Sequence, residues 1–245
     1  VDPLAAARRK LIVALDLPSA KDALALVERV GPHAGLFKVG LELFISAGPE
    51  LLTSLRKKTS AGIFLDLKFH DIPATVRAAR RAADRYGAQF LTVHCETGDR
   101  LVGLGEASTG TAQLLGVTVL TSVDQAAMRA AGWYAPELPV EELALRRAVL
   151  ARDAGCAGVV CSGNEVRAIK RQFGPDFVVV TPGIRPAWAQ VSTDDQRRAS
   201  TPAQAIAAGA DYLVVGRPIR DARNPAQAAE RVVEEIASAQ AGSPR

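Results

Sequence analysis

Four ionisable residues, Asp66, Lys68, His70 and Asp71, fall within six positions in FLDLKFHDIPATV (64–76), which begins as an apolar run. Burying charge in a strand costs several kcal/mol unless the charges pair or take part in chemistry. Asp66 and Lys68 are two apart, so a strand turns both side chains to one face. Asp71 comes just past the strand, before Pro73 starts a helix. An ammonium held by carboxylates can stabilise negative charge that develops beside it and can then donate a proton. A structural ion-pair network would explain an Asp–Lys pair. It does not predict Lys38 at the end of a second strand, or Arg217 after the glycine of the last.

Eight runs rich in β-branched or aliphatic residues have to position these groups. They are LIVALD (11–16), LFKVG (36–40), GIFLDLKF (62–69), FLTVH (90–94), LLGVTVLTS (114–122), GVVCS (158–162), FVVVTPG (177–183) and YLVVGR (212–217). Stretches of helical periodicity lie between them, among them SAKDALALVERV, PATVRAARRAADRYG and VEELALRRAVLARDAG. Continuous apolar strands alternating with helices predict a parallel sheet covered by helices. Eight repeats, and a first turn (VALDLPSA) without a glycine-rich dinucleotide fingerprint, favour an α/β fold of one closed (β/α)8 barrel over residues 1–245. Residues 1–8 and 241–245 are expected to be loose ends.

The polar residues gather at the carboxyl ends of the runs: Asp16, Lys38, Asp66, Lys68, His94, Thr121, Ser122, Ser162, Thr181 and Arg217. That rim is where barrel enzymes build their sites. The loops after strands seven and eight, TPGIRP (181–186) and VVGRPI (214–219), suit a phosphate: Gly216 permits close approach and Arg217 offers a planar fork. The polar stretch 187–200 reads as a lid or as a plain exposed loop. A phosphorylated small molecule is the expected ligand.

Composition narrows the classes. The chain has 245 residues, 48% hydrophobic and 23% charged, which suits a soluble protein with a sizeable core. A net charge of +4 invites a nucleic-acid reading. Its basic pairs and triplets, including Arg80-Arg81, Arg146-Arg147 and Arg197-Arg198, are instead scattered as solvated helix faces without interleaved aromatics. No apolar run approaches the ~20 residues of a membrane span, and no secretory signal opens the chain, so a cytoplasmic location is expected. The three cysteines, Cys95, Cys156 and Cys161, lie in or beside apolar runs and read as small buried hydrophobes. No metal-binding spacing accompanies them.

These blocks, in order from about residue 11 to 236, closely resemble the bacterial form of the orotidine 5′-phosphate decarboxylase family. VALD, FKVG, FLDLKFHDIP, VTVLTS, GVVCS, TPGIRP and DYLVVGRPI carry the resemblance. D-x-K-x-x-D alone is shared with sugar-phosphate decarboxylase and isomerase relatives; FKVG and TPGIRP make it specific. The resemblance implies decarboxylation of orotidine 5′-phosphate to UMP without cofactor or metal. It implies a catalytic set of Lys38, Asp66, Lys68 and Asp71, with Lys68 as proton donor and Asp71 reaching the neighbouring subunit of a homodimer. The whole segment Leu67, Phe69, His70, Ile72, Pro73, Ala74 and Thr75 is carried as substrate-binding, with His70 alternatively a hydrogen-bonded rim residue. Asp16 and Lys38 correspond to ribose contacts, Thr121 and Ser122 to the pyrimidine segment, and Arg185, Gln196, Gly216 and Arg217 to the phosphate side, with Pro182 also carried as substrate-binding. Gln190 rivals Gln196. Ala74 departs from the asparagine frequent in relatives, and the lid is a few residues longer and carries Trp188. A magnesium-dependent sugar-phosphate decarboxylase or aldolase, and a silent phosphate binder, are the rival readings.

Overall fold

The computed structural model describes residues 2–95, 110, 112–130, 138–189 and 198–242. Eight strands form a closed parallel barrel: β1 (Leu11–Ala14), β2 (Leu36–Gly40), β3 (Gly62–Phe69), β4 (Phe90–His94), β5 (Gln113–Val117), β6 (Gly158–Val160), β7 (Val178–Thr181) and β8 (Tyr212–Val215). They pair in sequence order, and β8 closes onto β1 through Leu11–Leu213, Ile12–Val214 and Val13–Val215. The helices among the described residues are α1 (Pro3–Lys10), α2 (Ala20–Val30), α3 (Leu41–Ala47), α4 (Glu50–Lys58), α5 (Pro73–Asp84), α6 (Gln125–Ala130), α7 (Val140–Asp153), α8 (Val166–Phe173), α9 (Pro202–Ala208), α10 (Arg217–Arg220) and α11 (Pro225–Gly242). None of them is long and apolar enough to cross a membrane.

Strand alternation divides the core in two. Ile12, Ala14, Leu36, Phe64, Phe90, Leu115, Val180 and Val214 fill the barrel interior, where Phe90 meets Phe64 and Tyr212 edge-on at 6.1 and 5.2 Å. The intervening residues, such as Leu11, Val13, Phe37 and Leu65, face outward and join the helix layer. Each aliphatic or aromatic side chain so buried contributes about 1.5–3 kcal/mol. At Gly116 a Cβ would lie 2.3 Å from Cys95 Sγ and 2.6 Å from Ala151 Cβ, so only glycine lets α7 pack this closely on β5. Helix starts follow local chemistry: Ser19 caps α2, and Thr201 with Gln204 forms a capping box that opens α9 at Pro202.

The structure departs from the sequence reading in three places. Residues 1–8 were expected as a loose end, but residues 3–10 form α1: Asp2 accepts a hydrogen bond from the Leu4 amide, Ala7 is fully buried, and the helix packs on α11. Several strands end earlier than their apolar runs. β1 stops at Ala14, β5 at Val117, β6 at Val160 and β8 at Val215, so Asp16, Thr121, Ser122 and Ser162 lie in the turns beyond them and Arg217 opens α10. Leu15, Val119 and Cys161 are buried there without extending the ladder, because turns that fold under the rim are covered as well as strands are. Finally, Arg147 and Arg198 are not solvated: both are buried and donate to backbone carbonyls.

Candidate active site

β3 leaves regular geometry where it reaches the mouth. Leu65 pairs with Leu91 and Phe69 with Val93, so four steps on β3 match two on β4. Lys68 takes φ 50°, the only positive φ of a non-glycine residue among those described. Such a conformation costs about 1–3 kcal/mol and persists when its surroundings enforce it. Here the Lys68 amide donates to Thr92 Oγ1 at 2.8 Å, and Thr92 Oγ1 donates to Asp66 Oδ1 at 3.0 Å. The bulge, more than simple alternation, brings Lys68 back over Asp66, with Nζ 2.8 Å from Oδ2.

Lys38, on the neighbouring strand, lies 3.6 Å from Asp66 Oδ2 and 2.7 Å from Asp16 Oδ1. The four groups form one alternating row, Asp16–Lys38–Asp66–Lys68. Burial pushes the Asp66 carboxyl upward, but the Lys38 and Lys68 ammonium groups and the hydrogen bonds from Lys68 and Thr92 outweigh it, holding the group below its ordinary value. Asp66 is thus a fixed negative charge between two cations.

The row lines a cavity of about 440 Å3 at the carboxyl ends of the strands, a size suited to a small ligand. Thr121, Ser122, Pro182, Arg185, Gly216 and Arg217 also line it. Ten of the residues read from sequence therefore surround one cavity. Leu67 and Phe69 do not: strand alternation sends them to the outer core. His70, Asp71, Ile72, Ala74 and Thr75 are exposed, and Pro73 begins α5; none of these lines the cavity of its own chain. The His70 and His94 rings stand 5.6 Å apart. Asp71 Oδ1 accepts from the Ile72 amide at 2.6 Å. Gln196 and its rival Gln190 lie outside the described residues.

Two polar contributors escape the sequence reading. Thr92 is fully buried in β4; the signal for it was a hydroxyl in the middle of the apolar run FLTVH. Arg220, one helical turn beyond Arg217, lines the cavity and donates from Nη1 to the Asp16 carbonyl at 2.6 Å. The apolar lining, including Phe64, Val117, Leu120, Val160 and Val214, comes from interior strand positions and the turn after β5.

The sequence profile described as the orotidine 5′-phosphate decarboxylase / HUMPS family matches residues 9–232. A curated protein of Trichlorobacter lovleyi named orotidine 5′-phosphate decarboxylase is 46% identical over 237 residues, covering 94% of this chain and 96% of its own. Its namesake in Desulfosudis oleivorans is 48% identical over 233 residues, covering 94% and 93%. The crystal structure of orotidine 5′-phosphate decarboxylase from Lactobacillus acidophilus superposes with a TM-score of 0.77 at 35% identity, covering 93% of this chain and 99% of that one.

Proposed function

The chain belongs to the orotidine 5′-phosphate decarboxylase / HUMPS family, and from that premise we propose that it releases carbon dioxide from orotidine 5′-phosphate to give UMP. The observation that carries the chemistry is the alternating row Asp16–Lys38–Asp66–Lys68 on one wall of a cavity whose lining also holds Arg185 and Arg217.

When the bond between carbon 6 and the carboxylate breaks, its electron pair stays on carbon 6. No neighbouring carbonyl delocalises that charge, so nearby cations must stabilise it. Lys68 is the group placed for this. Its ammonium, oriented by Asp66 and by the bulge, then gives carbon 6 a proton and is recharged from water. The Asp66 carboxylate, held ionised, faces the departing carboxylate. The field is built by folding, so little reorganisation accompanies the reaction. Arg185, Arg217, Pro182 and Gly216 receive the phosphate, Asp16 and Lys38 the ribose hydroxyls, and Thr121 and Ser122 the pyrimidine. Binding energy from the phosphate, remote from carbon 6, can then hold the ring against the charged row.

Asp71 belongs to this reading as a residue given to a second copy's site. It is exposed beside Ile72, which is 60% exposed, and the adjacent strand leads into α3, where Leu41 and Ile45 are 52% and 80% exposed. Apolar side chains gathered at one edge of the mouth favour being covered, and a homodimer built there would carry Asp71 across. A phosphorylated substrate does not cross membranes unaided, which fits a cytoplasmic enzyme.

The rival within the superfamily is a magnesium-dependent sugar-phosphate lyase. Lys38 opposes it, because its ammonium occupies the space between Asp16 and Asp66 where a metal would need a carboxylate. The test is spectrophotometric consumption of orotidine 5′-phosphate with and without EDTA. Turnover indifferent to EDTA is expected; turnover lost with EDTA would favour the rival, and none at all would refute the decarboxylase reading.

A further inference from the structure

The turn after β5 is held from outside the barrel by buried arginines. Arg147 on α7 donates from Nη1 to the Thr118 carbonyl at 2.7 Å. Arg198 donates from Nη2 to the Val119 and Leu120 carbonyls, both at 3.1 Å. Through Nη1 Arg198 also reaches Ser162 Oγ at 3.3 Å and pairs with Glu165, whose second oxygen accepts the Ser162 amide at 2.8 Å. The pair is almost sealed, with side-chain exposures of 8% and 1%.

Taking such charges out of water is expensive, and neither side chain lines the cavity. The backbone around Arg198 shows what the arrangement connects. Ser200 makes a parallel bridge with Ile184; its amide donates to Gly183, and its carbonyl accepts the Arg185 amide at 2.9 Å. A Cβ on Gly163 would lie 2.4 Å from Ser200 Oγ, so the turn after β6 is packed directly against this bridge. Arg198 therefore stands two residues from the segment that fixes Arg185, and its guanidinium grips the turn that presents Leu120, Thr121 and Ser122.

We infer that Arg198 is a positioning residue: it ties the phosphate-side segment at Gly183–Arg185 to the turn over the pyrimidine, so that the ring-side wall of the cavity is held in register with its phosphate end. The inference rests on the decarboxylase reading. The fork is what the role requires, because two successive carbonyls and Glu165 must be held by one planar group; a lysine would keep the charge and lose that geometry.

The test compares Arg198→Met and Arg198→Lys with wild type in kcat for orotidine 5′-phosphate and in Kd for UMP, thermal unfolding being followed in parallel. Both variants should lose roughly 10- to 100-fold in kcat, the size expected when a remote change misplaces reacting groups. UMP should bind with near wild-type Kd, because Arg185 and Arg217 remain. If Arg198→Met does not fold, Arg198→Met/Glu165→Met removes both charges together and the same two constants are read. Wild-type kcat in Arg198→Lys would reduce the residue to a charge partner and overturn the inference, as would parallel losses in kcat and UMP affinity. A wild-type protein that does not consume orotidine 5′-phosphate would refute the function and the inference together, whereas wild-type turnover left intact in Arg198→Met would refute the inference alone.

Discussion

Each end of the barrel carries a lysine–aspartate pair, and the two are built differently. At the amino-terminal floor, Lys170 Nζ donates to Asp211 Oδ2 at 2.6 Å and to the Pro175 and Phe177 carbonyls at 2.9 Å each, while Asp211 also accepts the Val179 amide at 2.7 Å. All three ammonium protons have acceptors, and the pair ties the turns before β7 and β8 together. Lys10 lies alongside, its ammonium disfavoured by burial and by Lys170 although Asp211 favours it. At the mouth, Lys68 Nζ has one hydrogen-bond partner among the described residues, Asp66, on a backbone with φ 50° that opens into the cavity. The floor pair is saturated and structural. The mouth pair keeps donor capacity for a ligand and holds it there against backbone strain.

Lys68→Ala should break the contrast most sharply. Turnover should fall at least about 10^3-fold, with UMP binding and the thermal midpoint retained; steady-state kinetics giving a near wild-type rate would remove Lys68 from the chemistry. Lys170→Met should behave in the opposite way. It leaves Asp211 without its ammonium partner and should lower unfolding free energy by about 2–3 kcal/mol in denaturant titration, while kcat of the folded fraction stays at the wild-type value. A catalytic defect without a stability defect would erase the distinction between the ends.

The smallest effect is a pH dependence at the mouth. Asp66 titrates in the folded protein below its unfolded value of about 3.9, so its stabilisation is complete above the unfolded value and is lost as pH falls through the folded one. The stability difference between wild type and Asp66→Asn should therefore be flat from neutral pH down to about pH 5 and shrink only in more acidic solution. A difference that grows on acidification would contradict the charged row.

Much of this was legible from residue order alone. Every strand appeared where an apolar run appeared, and Asp16, Lys38, Asp66, Lys68 and Arg217 were found from polarity placed at the ends of such runs, whereas Arg185 came from the family resemblance. The burial of Arg147 and Arg198 was not legible, because an arginine in a helix or beside a polar loop looks the same whether it meets water or a carbonyl contributed by a segment 29 or 79 residues distant in the chain. Helix α1 was missed for a related reason: its few apolar residues are stabilised by α11, from the other end of the chain.

Periodicity is a local property, so the amino-acid order by itself determined the alternation of strands and helices, the parallel barrel that such alternation builds, and the gathering of charge at one rim. Tertiary structure alone decided how those charges meet. The bulge at Lys68 depends on Thr92 in the next strand, the low pKa of Asp66 on Lys38 from a third, and the grip of Arg198 on carbonyls in the turn after β5. Each is a short-range interaction between groups far apart in the chain, and its strength depends on distance and dielectric, which exist only once the barrel has closed.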